Sequence, residues 1–196
     1  MNETNNLVSK VQAVRLFVFD VDGVLTDGHI VFDAKGEAFK LFNAKDGLAL
    51  NALAALKIPT AAITGRTSPM VVRRCEELGF LVVMQGEKKK AQALERLCEK
   101  AGVKPSACAF MGDDVNDLPA LRMAGLSACP ADASTDIKDM ADYVATLKGG
   151  EGAVREFVEW VLRGQGLWPK VLALFEEREV ADGPPHAALK VKPMED

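Results

Sequence analysis

Histidine is almost missing: His29 and His186 are the only ones in 196 residues. A mechanism that needs a histidine base, or a zinc site built on imidazoles, has little to draw on. Cysteine is scarce as well. Cys75, Cys98, Cys108 and Cys129 are widely spaced and form no C-x-x-C pair, so they are expected as reduced thiols packed in a core. No apolar run approaches the ~20 residues needed to span a bilayer. The opening MNETNNLVSK also lacks the charged-then-apolar pattern of a signal peptide, and the expected location is the cytoplasm. An excess of one charge is absent too. A formal net charge of −4 does not suggest a nucleic-acid or membrane surface. What is present is a 48% apolar chain, long enough to bury the core of one ordinary domain.

Short apolar runs alternate with helical patterns, and the runs are continuous rather than alternating, which suits parallel strands covered on both faces. Strands are predicted near Leu16–Phe19, Thr60–Ile63, Leu81–Val83, Cys108–Met111, Leu126–Ala128 and Tyr143–Val144. A helix follows Asp46 and must end before Pro59. Another opens with Ser68 as cap and Pro69 in the first turn, and stops at Gly79. A third runs from about Lys88 to Ala101, with Ala91, Leu94, Leu97 and Cys98 inward and Gly102 as left-handed cap. The fold class is α/β, a doubly wound, Rossmann-like and mostly parallel sheet.

One segment interrupts this order. From His29 to Phe42 the chain reads as a β-hairpin around Asp33-Ala34-Lys35-Gly36. Ile30, Val31, Phe32, Phe39, Leu41 and Phe42 are too many apolar residues for a hairpin alone in water, so another subunit is expected to cover it. Beyond about Leu162, GQGLWPKVLALFEEREV reads as a short helix and ADGPPHAALKVKPMED as a loose tail.

FDVDGVLTDG, residues 19–28, puts three aspartates just past the first strand. In an open parallel sheet ligands bind at the carboxyl ends of the strands. Thr64 in AAITGR and Asp113 in FMGDDVND are expected at such ends too. Two carboxylates about 4 Å apart repel by roughly 4 kcal/mol at an effective dielectric near 20, and a divalent cation removes that cost. An all-oxygen ligand set favours magnesium, and magnesium points to phosphoryl chemistry.

FDVDGVLTDG, ITGR, a lysine in QGEKKK and GDDVND, in this order, resemble the four motifs of the haloacid dehalogenase superfamily of phosphatases. NAKDG, RRCEELG and KGGEGAVRE narrow the resemblance to its capless 3-deoxy-D-manno-octulosonate 8-phosphate (KDO 8-phosphate) phosphatase family, over roughly residues 13 to 163. Residues 1–163 then form the phosphatase domain, without a cap domain, and 164–196 a C-terminal extension. The resemblance implies that Asp20 is the nucleophile, forming an aspartyl phosphate, and that Asp22 is the general acid and base. Asp22 would also give its backbone carbonyl to Mg2+, and Gly23 would leave room for that approach. Asp113 would complete the metal shell with Asp20, while Thr64 and Lys90 bind phosphoryl oxygens. Asn43, Ala44, Lys45, Asp46 and Gly47 would line the sugar pocket, and Arg66 and Arg74 would contact the anionic substrate. The segment near Arg155 would reach a neighbouring subunit's site. The family further implies a homotetramer built around the hairpins and a small sugar-phosphate substrate, with no nucleic acid and no membrane.

Each assignment has an ordinary counterpart. D-x-D-G by itself is turn chemistry, Lys88–Lys90 can be a solvated helix start, and the arginines can be surface ion pairs. Asp114 and Asp117 can cap a helix, support the ligands or hold Lys90. Asp27 and Asn116 are read as structural. Asn51 stands where these enzymes are expected to have arginine, and Lys45 where arginine is more usual. A nonulosonate 9-phosphate, such as 2-keto-3-deoxynononate 9-phosphate, therefore stays open as substrate. Two other classes are a phospho-acceptor signalling domain and a scaffold that has lost its chemistry.

Overall fold

Leu16–Phe19 is wholly buried along its length, as it must be for a strand with neighbours on both edges and helices on both faces. The computed structural model describes residues 3–177. In chain order the elements are α1 (Glu3–Ala13), β1 (Leu16–Phe19), β2 (Val31–Asp33), β3 (Gly36–Phe39), α2 (Ala44–Ala55), β4 (Thr60–Ile63), α3 (Pro69–Glu77) and β5 (Val82–Met84). There follow α4 (Lys90–Ala101), a 3-10 turn (Pro105–Ala107), β6 (Cys108–Met111), α5 (Leu118–Met123), β7 (Leu126–Cys129), α6 (Thr135–Met140), β8 (Tyr143–Val144), α7 (Ala153–Gly164) and α8 (Trp168–Glu176).

Six strands form one sheet in the order β5-β4-β1-β6-β7-β8, and every pair is parallel. The chain winds outward from β1 to β4 and β5, then crosses back to β6. The order therefore reverses between β1 and β6, where a doubly wound sheet opens a crevice. Alternate strand residues feed two cores. Phe17, Phe19, Ala109 and Met111 pack with α1, α2, α3, α7 and α8 on one face. Leu16, Val18, Cys108 and Phe110 pack with α4, α5 and α6 on the other. The four cysteines are buried and free.

Several local expectations need correcting. α2 begins at Ala44 rather than after Asp46, because the Asn43 side chain caps it by accepting from the Lys45 N–H at 2.8 Å. Ser68 occupies the cap position of α3 but makes no side-chain capping bond. Gln85 instead binds both the Ser68 N–H, at 2.8 Å, and the Ser68 carbonyl, at 2.9 Å. Leu81 is outside β5 and exposed, and the strand extends to Met84. α4 starts at Lys90 rather than Lys88, and Ala93 rather than Ala91 is its buried alanine. Gly102 does close it in the left-handed region, at φ 66°. α1, α6 and α7 go beyond the expected elements. Asp117 does take the cap position of a helix, α5, though without a side-chain capping bond. α8 matches the short helix expected there, and the proposed tail beyond it lies outside the described residues.

The hairpin pairs β2 with β3 in antiparallel register and is separate from the main sheet. The Asp33 carboxylate accepts from the Lys35 N–H at 2.7 Å, an Asx turn that closes the loop. Phe32, Phe39 and Leu41 are 63%, 48% and 63% exposed.

Candidate active site

Asp20, Thr64 and Asp113 come from loops at the same end of three adjacent strands. Phe19 of β1 lies in register with Ala62 of β4 and Met111 of β6, so the residues that follow each strand emerge side by side. The Asp20 N–H donates to the Met111 carbonyl at 3.0 Å, and the Thr64 N–H to the Met84 carbonyl at 2.9 Å. Both side chains are buried. The Thr64 hydroxyl accepts from the Arg66 N–H at 3.3 Å, which leaves its own proton free to donate.

One carboxylate oxygen from each of Asp20, Asp113 and Asp117 lies within 4.8 Å of the other two. Lys90 enters the cluster from the start of α4, its Nζ 2.9 Å from Asp20 Oδ2 and 2.5 Å from Asp117 Oδ1. The other oxygen of Asp117 accepts from the Asp113 N–H at 3.1 Å. Asp117 is thus occupied on both sides, holding Lys90 with one oxygen and the Asp113 loop with the other. Asp114 is exposed and accepts from the Val115 N–H at 2.8 Å. Asp27 is exposed and bonds the His29 N–H.

Burial and like charge dominate the electrostatics. Burial, with Asp117 adding to it, pushes the Asp20 carboxyl up to about 7 against the opposing pull of Lys90. Burial likewise pushes Asp113 up to about 8, with Asp20 and Asp117 adding to it. For Lys90, burial works to lower the pKa but is outweighed by Asp20 and Asp117, so the ammonium is held above its ordinary value. One cation among several buried carboxylates leaves excess negative charge, and a divalent cation would relieve it. The backbone has room for this. A Cβ on Gly23, whose φ is 93°, would lie 2.1 Å from Asp113 Oδ2, so only glycine brings the Asp22–Gly23 backbone this close to that carboxylate. Hard oxygen donors and a glycine-cleared approach fit Mg2+ at Asp20 and Asp113.

Asp22 pairs with Lys40 from the segment after β3. Lys40 also lies 3.2 Å from Glu37, and Glu37 is 3.5 Å from Arg66. Arg66 lies over the Phe32 ring, 5.8 Å from its centroid. Nothing in the sequence pattern singled out Lys40 or Glu37, because the pairing depends on how the hairpin folds back.

The residues expected at a sugar pocket gather at the start of α2, and several are already engaged. Asn43 donates to the Gly150 carbonyl at 3.1 Å. Asp46 is buried and accepts from the Arg155 N–H at 2.8 Å. The Arg74 guanidinium lies against Gly47, where a Cβ would be 2.5 Å from its Nη2, and Arg74 pairs with Glu77 at 3.3 Å. Ala44 and Lys45 are exposed, and Asn51 is half-buried on α2. Arg155 bonds Glu159 at 2.9 Å and stacks on Trp168. KGGEGAVRE therefore faces NAKDG directly, a pairing no local pattern could reveal.

A family model described as haloacid dehalogenase-like hydrolase matches residues 43–125. The 3-deoxy-D-manno-octulosonate 8-phosphate phosphatase of Salmonella typhi is 39% identical over 163 residues, covering 83% of this chain and 87% of that protein. The chain belongs to the haloacid dehalogenase-like hydrolases. Its likeness to other members holds in three dimensions. The Moraxella catarrhalis 3-deoxy-D-manno-octulosonate 8-phosphate phosphatase, crystallised with magnesium, phosphate and KDO, superposes with a TM-score of 0.84 at 40% identity. That match covers 88% of this chain and 99% of the Moraxella chain. The cobalt-bound Haemophilus influenzae phosphatase gives a TM-score of 0.80 at 38% identity, over 88% and 98% of the two chains.

Proposed function

We propose that the protein is a magnesium-dependent phosphatase of 3-deoxy-D-manno-octulosonate 8-phosphate, releasing KDO and phosphate for lipopolysaccharide precursor synthesis. The observation that carries the reading is the meeting of Asp20, Asp113 and Lys90 at the β1–β6 crevice. This chain is also about 40% identical to a phosphatase solved with magnesium, phosphate and KDO. In this reading Asp20 attacks phosphorus and becomes an aspartyl phosphate. Bound Mg2+ neutralises phosphoryl charge and lets the nucleophile and the ester approach despite their like sign. Lys90 and the Thr64 hydroxyl hold phosphoryl oxygens. Asp22 gives a proton to the departing sugar oxygen, then takes one from the water that hydrolyses the acyl phosphate. Asp113 is the second metal ligand, with the Asp22 carbonyl a third. Arg66, Arg74, Lys45 and the NAKDG segment bind the sugar acid.

Asn51 and Lys45 favour a second reading. Fewer guanidinium forks weaken the grip expected on the octulosonate carboxylate, and the related substrate is then a nonulosonate 9-phosphate. A phospho-acceptor domain would share the aspartates, threonine and lysine, but hydrolase relatives favour turnover. The hairpin's exposed Phe32, Phe39 and Leu41 support a homotetramer in which neighbouring chains close each site. No helix among the described residues is long and apolar enough to cross a membrane, which is consistent with a cytoplasmic enzyme.

The test is phosphate release over a panel of sugar phosphates, with and without Mg2+. Octulosonate 8-phosphate should be turned over fastest, and chelation should abolish turnover. A preference for nonulosonate 9-phosphates would move the assignment to the second reading. Asp20→Asn should lose activity by at least about 1,000-fold with its fold intact, since an amide is a poor nucleophile. Near-normal turnover by that variant would refute the aspartyl-phosphate route.

A further inference from the structure

We propose that Lys40 is a positioning residue that fixes the Asp22 carboxylate for proton transfer, and that it does so from the inner side of the hairpin. The inference rests on the reading of Asp22 as proton donor. The Lys40 side chain is 1% exposed, so an incoming substrate does not meet it. The groups it does meet are Asp22 Oδ1 and, at 3.2 Å, Glu37 Oε1. Asp22 itself is 19% exposed, and its carboxylate is therefore tethered on one side and open on the other. A buried ammonium needs compensating charge, and here two carboxylates supply it. Glu37 comes from β3 and Asp22 from the loop after β1, so Lys40 joins the hairpin to the loop that carries the nucleophile.

Removing Lys40 has two consequences. Glu37 and Asp22 lose the cation between them and repel, and Asp22 loses the contact that selects its rotamer. A proton donor must lie within hydrogen-bond reach of the departing oxygen, and small displacements weaken it steeply. Lys40 thus acts through Asp22 rather than on the substrate. A leaving group that needs no proton should be nearly indifferent to its loss.

That indifference supplies the test. Full-length Lys40→Met is assayed on the best sugar phosphate of the panel, whose alkoxide must be protonated, and on 4-nitrophenyl phosphate, whose phenolate leaves unaided. On the sugar phosphate the single-turnover rate of sugar release, which reports the protonation step alone, should fall about 10- to 100-fold with KM within about 2-fold. Single-turnover release of nitrophenolate should fall by less than about 3-fold. An equal loss on both substrates would overturn the proposal, because Lys40 would then support the phosphoryl site or the fold at large. The double variant Glu37→Gln/Lys40→Met removes the buried cation together with a buried partner, and guards against misfolding of the single variant. It should show the same dependence on leaving group. Recovery of sugar-phosphate turnover in the double variant would mean that Lys40 only neutralises Glu37, and would equally overturn the proposal. Asp22→Asn assayed alongside separates the two layers. If it shows no dependence on leaving group, the assignment of Asp22 as donor fails. If it shows the dependence and Lys40→Met does not, only the role of Lys40 fails.

Discussion

Gly149 shows how closely one residue can govern a site it does not contact chemically. A Cβ there would lie 1.8 Å from the Gly23 carbonyl oxygen and 2.5 Å from its carbon, and backbone cannot move aside as a flexible side chain would. Gly150 is similarly confined by Thr26 and Asp27, and its N–H donates to the Val24 carbonyl at 3.0 Å. The Gly-Gly pair therefore lets the KGGEG loop lie flat against the loop that carries Asp20 and Asp22. Gly149→Ala should push that loop out of place. We expect a loss of about 1–3 kcal/mol in stability from overpacking, seen in urea unfolding, and a fall of about 100-fold in kcat from displaced groups. At this scale the sequence was informative where a residue's type limits its chemistry. Asp20, Asp113, Thr64 and Lys90 could be named from motifs, and the chain gathers Asp20, Asp113 and Lys90 into one cluster. For Asp117 both capping and support of its neighbours suit a carboxylate at the end of a loop, just ahead of a helix. Its bond to the Asp113 N–H is local to the loop, but its bond to Lys90 appears only once α4 packs against α5.

At the scale of elements, the tie between α2 and α7 stands out. Asp46, in the first turn of α2, accepts from the Arg155 N–H at the start of α7, taking the place of a side-chain cap that Gly152 cannot supply. Burial raises the Asp46 carboxyl from 3.8 to about 6, against the pull of backbone N–H groups at Arg155 and Gly152. The folded state thus holds a proton that the unfolded chain releases between these values. The stability linked to that proton is fully present below about pH 4 and lost as pH rises through 6. Asp46→Asn keeps the accepting oxygen and has no proton to lose. It should match the parent at pH 4 and exceed it by about 3 kcal/mol at pH 8, as urea unfolding at the two pH values would show. A parent that gains stability between pH 4 and 7 relative to the variant would contradict this. Strands were legible because continuous apolar runs have few other uses; β1, β4 and β6 match their expected limits residue for residue. α7 was missed although Val154, Phe157, Val158, Val161 and Leu162 repeat at helical spacing and are all buried. That signal was present, whereas α5 and α6, at six residues each, are too short to show a period.

For the whole molecule, the hairpin is the part whose sequence and surroundings disagree. Within the single chain Phe32, Phe39 and Leu41 face solvent, while Lys40 and Glu37 on the inner side face the acidic loop. Such a surface is expected to be covered by further copies of the chain. Sedimentation should give a mass near four chains, and Leu41→Asp should shift it towards one or two. A parent protein that is monomeric and fully active would rule out the assembly. α8 has a different fate. Trp168 and Val171 are buried in the core on the α7 face, and Arg155 and Arg163 stack on the Trp168 ring at 5.0 and 5.1 Å. The first part of the expected C-terminal extension is therefore packed against the molecule.

The sequence alone determined the kind of chemistry and the kind of sheet, because both follow from residue types and their order: oxygen ligands without histidine, and apolar runs alternating with helical segments. That Asp117 would join Asp20 and Asp113, that Lys40 would be buried between Asp22 and Glu37, and that Gly149 would let one loop lie against Gly23 were decided by the tertiary structure. Those contacts join residues far apart in the chain, and their energies arise from distance and burial, which no linear pattern contains.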